Sequence, residues 1–510
     1  MISKVYTVAF EGVKANIVTV EIQFSPGLPS FAIVGLANKA VSESKERIRA
    51  CFQTLGFSLP CQRITVNLAP ADLQKEGSHY DLPIALGLMS ALGIVDKLEL
   101  EKYIVLGEIR LDGTIAAVTG VLPAAIKAAE NNQGIIIPKA CAKEATWAGK
   151  MPILAADNII QIVNHFKGQQ VLSQPEPIQM VKRDKKFGDF QEIKGQSQAK
   201  RAVEIAAAGG HNLLLIGPPG SGKSMLAARL PSILPDLSPR EALDVTMLHS
   251  LCGLVPENGL VIERPYRAPH HSASLPAMVG GGSKAKPGEI SLSHHGVLFL
   301  DEMPEFNRQT LEALRQPLET NEIAVARVNN HITYPANIQL IAAMNPCRCG
   351  FYGQEEKQCH RAPTCAKDYQ SKISGPLLDR FDIILHVHPV KTEDLKNPNI
   401  ICGESSAIIA ERVRIARTRQ HTRNKLLLDA TTQGVLNSNL DGKNLYEHLK
   451  LTPNAKIILD KALDKLGLSA RGYHRIMRVA RTIADLDESE CTDHPHIAEA
   501  LSYRQMIIGN

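Results

Sequence analysis

One eight-residue segment constrains the fold of this chain more than any other. It reads Gly217-Pro218-Pro219-Gly220-Ser221-Gly222-Lys223-Ser224, with an apolar run (213–216) before it and a helical run (225–230) after it. This is the pattern and context of a phosphate-binding loop, whose backbone N–H groups curl around phosphates at a helix N-terminus. The segment predicts an α/β fold with ATP at the end of a strand. Lys223 would bridge the β- and γ-phosphates, and the Ser224 hydroxyl would bind Mg²⁺.

Two further apolar runs lead into polar residues that suit the same site. The run 297–300 ends in Asp301-Glu302, and the run 338–343 leads through a methionine to Asn345. Ligands bind at the carboxyl ends of strands in open parallel sheets. Asp301 would therefore hold Mg²⁺, and Glu302 would orient or deprotonate the attacking water. Asn345 would contact the γ-phosphate, although Asn-Pro is also a common turn.

Two arginines downstream are candidates for contact with the phosphates. Arg380 lies in the segment 375–382, and Arg471 lies in Ser469-Ala470-Arg471-Gly472. In a ring-forming ATPase, Arg380 would be an arginine finger that reaches a neighbouring subunit's site. A salt-bridged structural role is the alternative. Arg471 would be a second sensor of the phosphate, and the sequence leaves open on which subunit's nucleotide it acts.

Composition sets the class of protein rather than its function. Of 510 residues, 44% are hydrophobic and 21% are charged, which is typical of a globular protein. The net charge of +5 permits a local DNA-binding patch without arguing for one. The N-terminus lacks the features of a signal peptide, and the apolar stretch 82–95 is too short to span a bilayer. We therefore expect a cytoplasmic protein whose ten cysteines are thiols or metal ligands.

Changes in periodicity divide the chain into parts. Residues 1–167 alternate strand-like and helical patterns, which predicts one α/β domain. Residues 168–186 are rich in Gln, Pro, Ser, Lys and Asp and indicate a linker. The nucleotide motifs fall within a second α/β region, 187–391, and residues 392–510 have helical spacing. No repeat of fixed period is visible.

The motifs together resemble those of a known family. Residues 187–510 resemble the magnesium-chelatase-like branch of AAA+ ATPases, and the whole chain is similar to the YifB/ComM family. The resemblance rests on the phosphate loop, on the segments 298–302, 343–347, 374–382 and 469–475, and on Arg267-Ala268-Pro269-His270-His271-Ser272-Ala273-Ser274. It implies an AAA+ P-loop NTPase core, a C-terminal helical lid and a homo-hexameric ring. It also implies ATP-driven branch migration of DNA during integration of single strands in natural transformation and homologous recombination.

The first domain is similar to the substrate-side fold of Lon-type proteases, which use a Ser–Lys pair. The serine position aligns with His79 or nearby, and Leu122 stands where the lysine would be. A leucine cannot act as a general base. We therefore predict a Lon-protease-like (ChlI-type) domain without its catalytic dyad, which serves as a ring-forming or DNA-facing platform. Ser78 with Lys75 or Lys127 is the remaining alternative.

Four cysteines crowd into an insert at 347–365: Cys347, Cys349, Cys359 and Cys365. Four thiolates suit tetrahedral zinc, which would fold a polar loop. The spacing is not the usual pair of Cys-x2-Cys motifs, and His360 could replace one thiolate. The sequence leaves two alternatives, structural zinc and unligated thiols.

Three segments are candidates for sequence-independent contact with branched or single-stranded DNA. The segment 323–333 has the pattern of a β-hairpin, and by the resemblance it would line a pore with Arg327 and His331. The glycine-rich loop 280–287 carries Lys284 and Lys286, which could contact phosphates. For both, a solvated loop is an equal alternative. Six basic residues between 412 and 425 spread around a helix, which favours a solvated or interface-forming helix.

Three functions remain in competition. The leading hypothesis is a DNA-remodelling ATP hydrolase that requires ATP and Mg²⁺. The second is a chelatase-like or regulatory AAA+ ATPase that remodels a protein partner, against which the long first domain argues. The third is a Lon-type protease, against which Leu122 argues.

Overall fold

The computed structural model describes three successive parts of the chain. The described residues are 2–176, 187–282, 285–326, 331–352, 359, 361–389, 403–425, 435–440, 442–466 and 469–504. Among them, no helix is both long enough and apolar enough to cross a membrane.

The first part is built on a seven-stranded mixed sheet with the order β3-β4-β2-β1-β5-β8-β9. Strands β1 and β2 pair antiparallel from Ile2↔Gln23 to Glu11↔Lys14 across a two-residue turn, Gly12-Val13. A short hairpin of β6 and β7 lies beside the sheet. The strands are β1 (Ile2–Glu11), β2 (Lys14–Ser25), β3 (Ser30–Val34), β4 (Arg63–Ala69), β5 (Tyr103–Val105), β6 (Glu108–Ile109), β7 (Ile115–Ala116), β8 (Gly134–Pro138) and β9 (Ile153–Ala156).

Helices cover both faces of this sheet. Helix α3 is buried at every position from Asp81 to Met89, because its sequence is apolar all round after the first residue. Gln174, in the segment after α7, bonds to backbone of Met151 and Ile153 and so lies against the same part of the chain. The helices are α1 (Lys39–Ser42), α2 (Ser44–Thr54), α3 (Asp81–Ala91), α4 (Lys97–Leu100), α5 (Val121–Glu130), α6 (Ala142–Ala145) and α7 (Ile159–Phe166).

The second part contains a five-stranded parallel sheet with the order β11-β14-β17-β10-β18. Its strands are continuous apolar runs because both faces are buried. Leu213 and Leu215 face one hydrophobic cluster, whereas Leu214 and Ile216 face another. The strands of this part are β10 (Leu213–Ile216), β11 (Tyr266–Arg267), β12 (Gly280–Gly281), β13 (Lys286–Pro287), β14 (Val297–Leu300), β15 (Glu322–Ala326), β16 (His331–Pro335), β17 (Gln339–Met344) and β18 (Ile383–His386).

Nine described helices surround this sheet and its two small hairpins. Helix α10 begins with a capping box between Ser238 and Glu241 and ends at Gly253, whose φ of 70° is left-handed. The helices are α8 (Ser197–Gly209), α9 (Lys223–Ile233), α10 (Pro239–Cys252), α11 (Leu275–Val279), α12 (Glu289–Leu292), α13 (Arg308–Ala313), α14 (Arg315–Thr320), α15 (Thr364–Gln370) and α16 (Gly375–Leu378).

The third part is helical in its described residues. Its helices share one core with α8, α9 and one face of the parallel sheet. They are α17 (Ser406–Lys425), α18 (Gly442–Leu449), α19 (Pro453–Leu466), α20 (Ala470–Leu486) and α21 (His494–Ser502). The fold is therefore an α/β protein with a mixed-sheet first part, a parallel-sheet nucleotide core and a helical C-terminal part.

Described residues of the first part contact the parallel-sheet part around α10 and at the β15–β16 hairpin. The buried carboxylate of Glu144 accepts hydrogen bonds from the Leu122 N–H and the Ser250 hydroxyl, which join α5 to α10. At the second place, the turn at Gly12 packs beside Ile332 and Thr333 of the β15–β16 hairpin. The first part is thus in direct contact with the hairpin that the sequence predicts to meet DNA.

Candidate functional site

Three neighbouring strands of the parallel sheet end in the predicted nucleotide motifs. Strands β14, β17 and β10 are adjacent and parallel, with Phe299 opposite Ile341 and Leu213 opposite the same residue. Their carboxyl ends therefore meet at one edge, called here the carboxyl edge. The phosphate loop follows β10, Asn345 follows β17 and Asp301 follows β14.

The phosphate loop has the backbone conformation that its glycines allow. Gly220 and Gly222 have φ values of +76° and +88°, and a Cβ on either would meet no atom within 4 Å. Helix α9 starts directly after Gly222, so its first N–H groups point into the loop. An open concavity of backbone donors at a helix N-terminus fits a phosphate group.

The polar side chains of this edge contact one another. Lys223 Nζ donates to the carbonyls of Gly217 (2.8 Å) and Pro218 (2.9 Å) and lies 3.3 Å from Asn345 Oδ1. Burial lowers the pKa of Lys223, and the nearby carboxylates of Asp301 and Glu302 oppose that effect. The lysine is therefore largely buried among oxygen atoms.

The Ser224 hydroxyl donates to Asp301 Oδ2 at 2.7 Å. A hydroxyl and a carboxylate held together are oxygen ligands of the kind that Mg²⁺ prefers. The residues present therefore fit Mg²⁺ and a nucleotide triphosphate, on the evidence of this pair and of the open loop beside it.

Glu302 has a neighbour that the sequence analysis missed. Its backbone is left-handed, with a φ of 50°, which is uncommon for a residue other than glycine. Its carboxylate lies 3.7 Å from His271 Nδ1. His271 belongs to the segment Arg267–Ser274, which carried the family resemblance without an assigned role. The family-specific segment was the only hint in the sequence that His271 has a function. Its contact with Glu302 could not be predicted, because it depends on how the loop after β11 folds back.

The four cysteines of the insert come together beside the phosphate loop. Their Sγ atoms all lie within 4.8 Å of one another, and Cys347 Sγ is 3.1 Å from Cys349 Sγ. Gly350, which follows Cys349 in the chain, packs its backbone against Pro219. The approach is so close that a Cβ on Gly350 would lie 2.6 Å from the proline Cδ. Gln370 donates to the Pro346 carbonyl at 2.8 Å and fixes the start of this loop. His360 lies outside the described residues.

Arg380 and Arg471 lie at the opposite edge of the sheet, which we call the amino edge. Both line a cavity of about 1190 Å³. The cavity is also lined by residues that directly precede the strands, among them Asn212, Gly296, Ile338 and Asp382. The strands between the edges are four to six residues long, so the edges are separated by at least about 13 Å. The two arginines are therefore together, but away from their own chain's phosphate loop.

Arg380 forms a hydrogen bond through its backbone and an ion pair through its side chain. Its carbonyl accepts from Asn212 Nδ2 at 2.9 Å, and its guanidinium forms an ion pair with Glu319. Burial lowers the pKa of Arg380, and the charges of Arg471 and Arg315 lower it further. Within the single chain, Arg380 therefore forms a salt bridge, as in the alternative that the sequence offered to an arginine finger.

The predicted DNA-contacting residues are only partly within the described structure. The strands of the predicted hairpin, β15 and β16, pair from Glu322↔Pro335 to Ala326↔His331. Arg327, at its tip, and Lys284 lie outside the described residues, and so does the side-chain environment of His331. Lys286 is exposed in β13.

The arginines of α17 contact other parts of the same chain. Arg417 is buried and donates to the Ala207 carbonyl, and Arg423 pairs with Asp485 at 2.7 Å. Three more pair with acids or carbonyls: Arg412 with Glu204, Arg414 with Glu411, and Arg419 with Glu488. Four of these five arginines thus contact other elements, whereas the exposed Arg414 pairs within its own helix. The segment therefore has both interface-forming and solvated positions, the two alternatives to DNA contact that were predicted from the sequence.

The alternative Ser–Lys pair of the first part is not assembled. Ser78 donates to Glu108, and Lys75 is buried and donates to the Pro70 carbonyl. Lys127 pairs with Glu130 at 3.1 Å on the surface. His79 is held by the Val8 carbonyl at 3.0 Å. These contacts leave Ser78 without a lysine partner among the described side chains.

The parallel-sheet order, the phosphate loop and the polar residues on the two neighbouring strands define a P-loop protein of the AAA+ class. Family comparisons agree with that class. The family described as magnesium chelatase, subunit ChlI, matches residues 189–395, its ChlI subunit domain matches 20–141, and its C-terminal domain matches 403–504.

Relatives cover nearly the whole chain. It is 43% identical to the uncharacterised YifB protein of Escherichia coli over 99% of this chain and 97% of that one. The same identity and coverage hold for the competence protein ComM of Haemophilus influenzae. DNA helicase MCM8 of Xenopus laevis is 23% identical over 51% of this chain and 28% of its own length. The chain belongs to the YifB/ComM family.

The contacts of Glu302 predict its role in hydrolysis. Glu302→Gln removes the predicted base while keeping the side chain's size, so ATP binding should persist and kcat should fall by about 10²-fold or more. A fluorescent ATP analogue and steady-state phosphate release measure the two effects.

Glu305→Gln is the matched control. Glu305 lies three residues away and pairs with Lys372 at 3.4 Å. A surface pair of this kind contributes little, so kcat should change by less than about twofold. Equal losses in the two variants would contradict the assignment of Glu302.

Proposed function

We propose that this protein is an ATP-hydrolysing motor that remodels branched or single-stranded DNA as a homo-hexameric ring. The observation that carries the nucleotide part is the contact of Ser224 with Asp301 beside Lys223 and Asn345. The DNA part is supported by the similarity to the competence protein ComM and to DNA helicase MCM8. The proposed process is branch migration during strand integration in transformation or homologous recombination.

In this proposal the residues at the carboxyl edge bind and orient the nucleotide. The loop N–H groups from Gly220 to Ser224 hold the phosphates, and Lys223 neutralises charge that develops on them. Ser224 and Asp301 hold Mg²⁺, which supplies further positive charge at the phosphates. Glu302 accepts a proton from the attacking water, and Asn345 orients that water.

Arg380 and Arg471 act in trans in this proposal. Their position at the amino edge, opposite their own phosphate loop, supports it. A guanidinium from one subunit would then stabilise the transition-state charge at the next subunit's site. Because each site needs a neighbour, hydrolysis requires a ring or at least a pair of subunits.

DNA would be contacted by the β15–β16 hairpin, through Arg327 and His331, and by Lys284 and Lys286. Cationic contacts to phosphates position a strand without reading its sequence. The packing of the Gly12 turn against Ile332 supports a role for the first part as a platform for this hairpin.

A second candidate function is remodelling of a protein partner, as in a chelatase-like motor. The magnesium chelatase ChlI family matches all three parts, including residues 20–141 of the first domain, so that domain does not argue against this alternative as the sequence suggested. It shares the ATP chemistry and differs only in what the motor acts on.

We also propose that the cysteine cluster binds structural zinc. Tetrahedral zinc with Zn–S bonds of about 2.3 Å places sulfurs roughly 3.8 Å apart. The four Sγ atoms lie within 4.8 Å of one another, which fits that arrangement. Since Gly350 packs on Pro219, the metal would also brace the phosphate loop.

A labelled four-way DNA junction tests the proposed function. With Mg²⁺ and ATP, the native protein should separate the junction, whereas Lys223→Ala and Glu302→Gln should not. ATP hydrolysis by the native protein with an intact junction would remove the DNA assignment and favour the partner-remodelling alternative.

Mixing two inactive variants tests action in trans. Arg380→Ala should lower kcat by about 10³-fold, and Lys223→Ala should abolish nucleotide binding. A mixed ring places an intact loop beside an intact arginine, so the mixture should hydrolyse ATP well above either variant alone. The pair Lys223→Ala and Arg471→Ala should behave alike. Mixtures no more active than their components would contradict the trans assignment.

Metal analysis tests the zinc proposal. Inductively coupled plasma measurement on the untagged protein should find about one zinc per chain, and Cys359→Ser with Cys365→Ser should remove it. Cys61→Ser, which alters an exposed cysteine elsewhere, should keep the zinc. Less than about a tenth of an equivalent in the native protein would leave the four thiols unligated.

A further inference from the structure

One ion pair joins Arg380, at the amino edge, to the base of the predicted DNA hairpin. Arg380 pairs with Glu319, and the exposed fractions of the two side chains are 16% and 46%. An arginine that must reach another subunit's phosphate is thus folded against its own chain. The partner that holds it there sits near the end of α14.

Glu319 and the hairpin belong to one continuous unit. Helix α14 ends at Thr320, and β15 begins at Glu322. Between them, Asn321 is left-handed, donates to the Pro317 carbonyl at 3.0 Å and accepts from the Ala336 N–H at 2.7 Å. These bonds close the hairpin base onto the helix, so a displacement of the hairpin displaces Glu319 with it.

Arg380, by contrast, is attached to the sheet. Its carbonyl bonds to Asn212, and the adjacent Asp382 N–H bonds to the Asn212 carbonyl at 3.1 Å. The ion pair therefore joins α14, which carries the hairpin, to the sheet edge. Both elements also pack in one hydrophobic cluster, so only a shift of α14 within that cluster would separate the pair. Relative motion of those elements breaks or forms it.

The charges around Arg380 allow another anion to replace Glu319 as its partner. Arg471 and Arg315 are close enough to disfavour a further positive charge. Two acids that line the same cavity have partners of their own, Asp379 with Arg475 at 3.4 Å and Asp382 with His211 at 3.0 Å. Glu319 thus supplies the direct counter-charge to Arg380, and a γ-phosphate with several negative oxygens would compete with it effectively.

We propose that Glu319 is a positioning residue that holds Arg380 back until displacement of the β15–β16 hairpin frees it for the neighbouring subunit's nucleotide. The inference rests on the proposed trans action of Arg380. It makes occupation of the hairpin, rather than ATP binding alone, the event that completes the hydrolytic site. DNA that moves the hairpin would then stimulate hydrolysis.

Steady-state hydrolysis by the full-length protein, with and without junction DNA, tests this inference. Without DNA, Glu319→Gln should raise kcat about two- to fivefold, the factor that corresponds to loss of a partly exposed ion pair. KM for ATP should not change, since Glu319 lies at the edge opposite the phosphate loop. The stimulation by DNA should shrink by the same factor. Glu319→Asp, which keeps the charge, should retain a low basal rate.

Glu322→Gln is the matched control, because it removes an exposed acid three residues away without touching Arg380. It should behave as the native protein. A basal kcat that is unchanged or lowered in Glu319→Gln would overturn the inference. If the native protein shows no response to DNA, the DNA assignment fails, while the basal rates of the two glutamine variants still decide the role of Glu319.

Discussion

The parallel pairing of β10 with β17 and β18 is the constraint on which the rest of this molecule depends. The register sets Leu213 opposite both Ile341 and Ile383 and Ile216 opposite both Met344 and His386, so the three strands end together, although β17 begins two residues earlier. Everything that follows a strand lies at one edge, and everything that precedes a strand lies at the other. The nucleotide-binding groups and the two arginines are separated for this reason alone.

In the proposed ring, that separation gives one chain two incomplete halves of a site. The carboxyl edge has the loop, Asp301, Glu302 and Asn345 but no arginine among its described contacts. The amino edge has Arg380 and Arg471 beside a wide cavity. A head-to-tail arrangement of subunits would bring the two halves together, and closed rotation of such contacts generates a ring.

The parts around the sheet act on these two edges. The cysteine cluster packs on the phosphate loop through Gly350, at the carboxyl edge. The hairpin β15–β16 contacts the first part at Gly12 and, through α14, meets Arg380 at the amino edge. Hairpin, first part and arginine are therefore physically connected.

Much of the carboxyl edge was predictable, because its motifs are short stretches of consecutive residues. A strand, a glycine-rich loop and a helix start occupy adjacent residues, and β10 and β14 have the bounds that the apolar runs predict. Strand β1 is harder to predict, because it mixes charged and apolar residues and is fixed by pairing with β2 across the Gly12-Val13 turn. The contact of His271 with Glu302 and the pair of Glu319 with Arg380 join residues that are distant in sequence, and no local pattern encodes them.

The most direct test of the account is the dependence of specific ATP hydrolysis on protein concentration, measured together with mass photometry. A site completed by a neighbour predicts that turnover per chain falls to near zero at concentrations where single chains dominate, and that it rises in step with the assembled fraction. Turnover per chain that stays constant down to fully dissociated protein would contradict it, because each chain would then carry a complete site of its own.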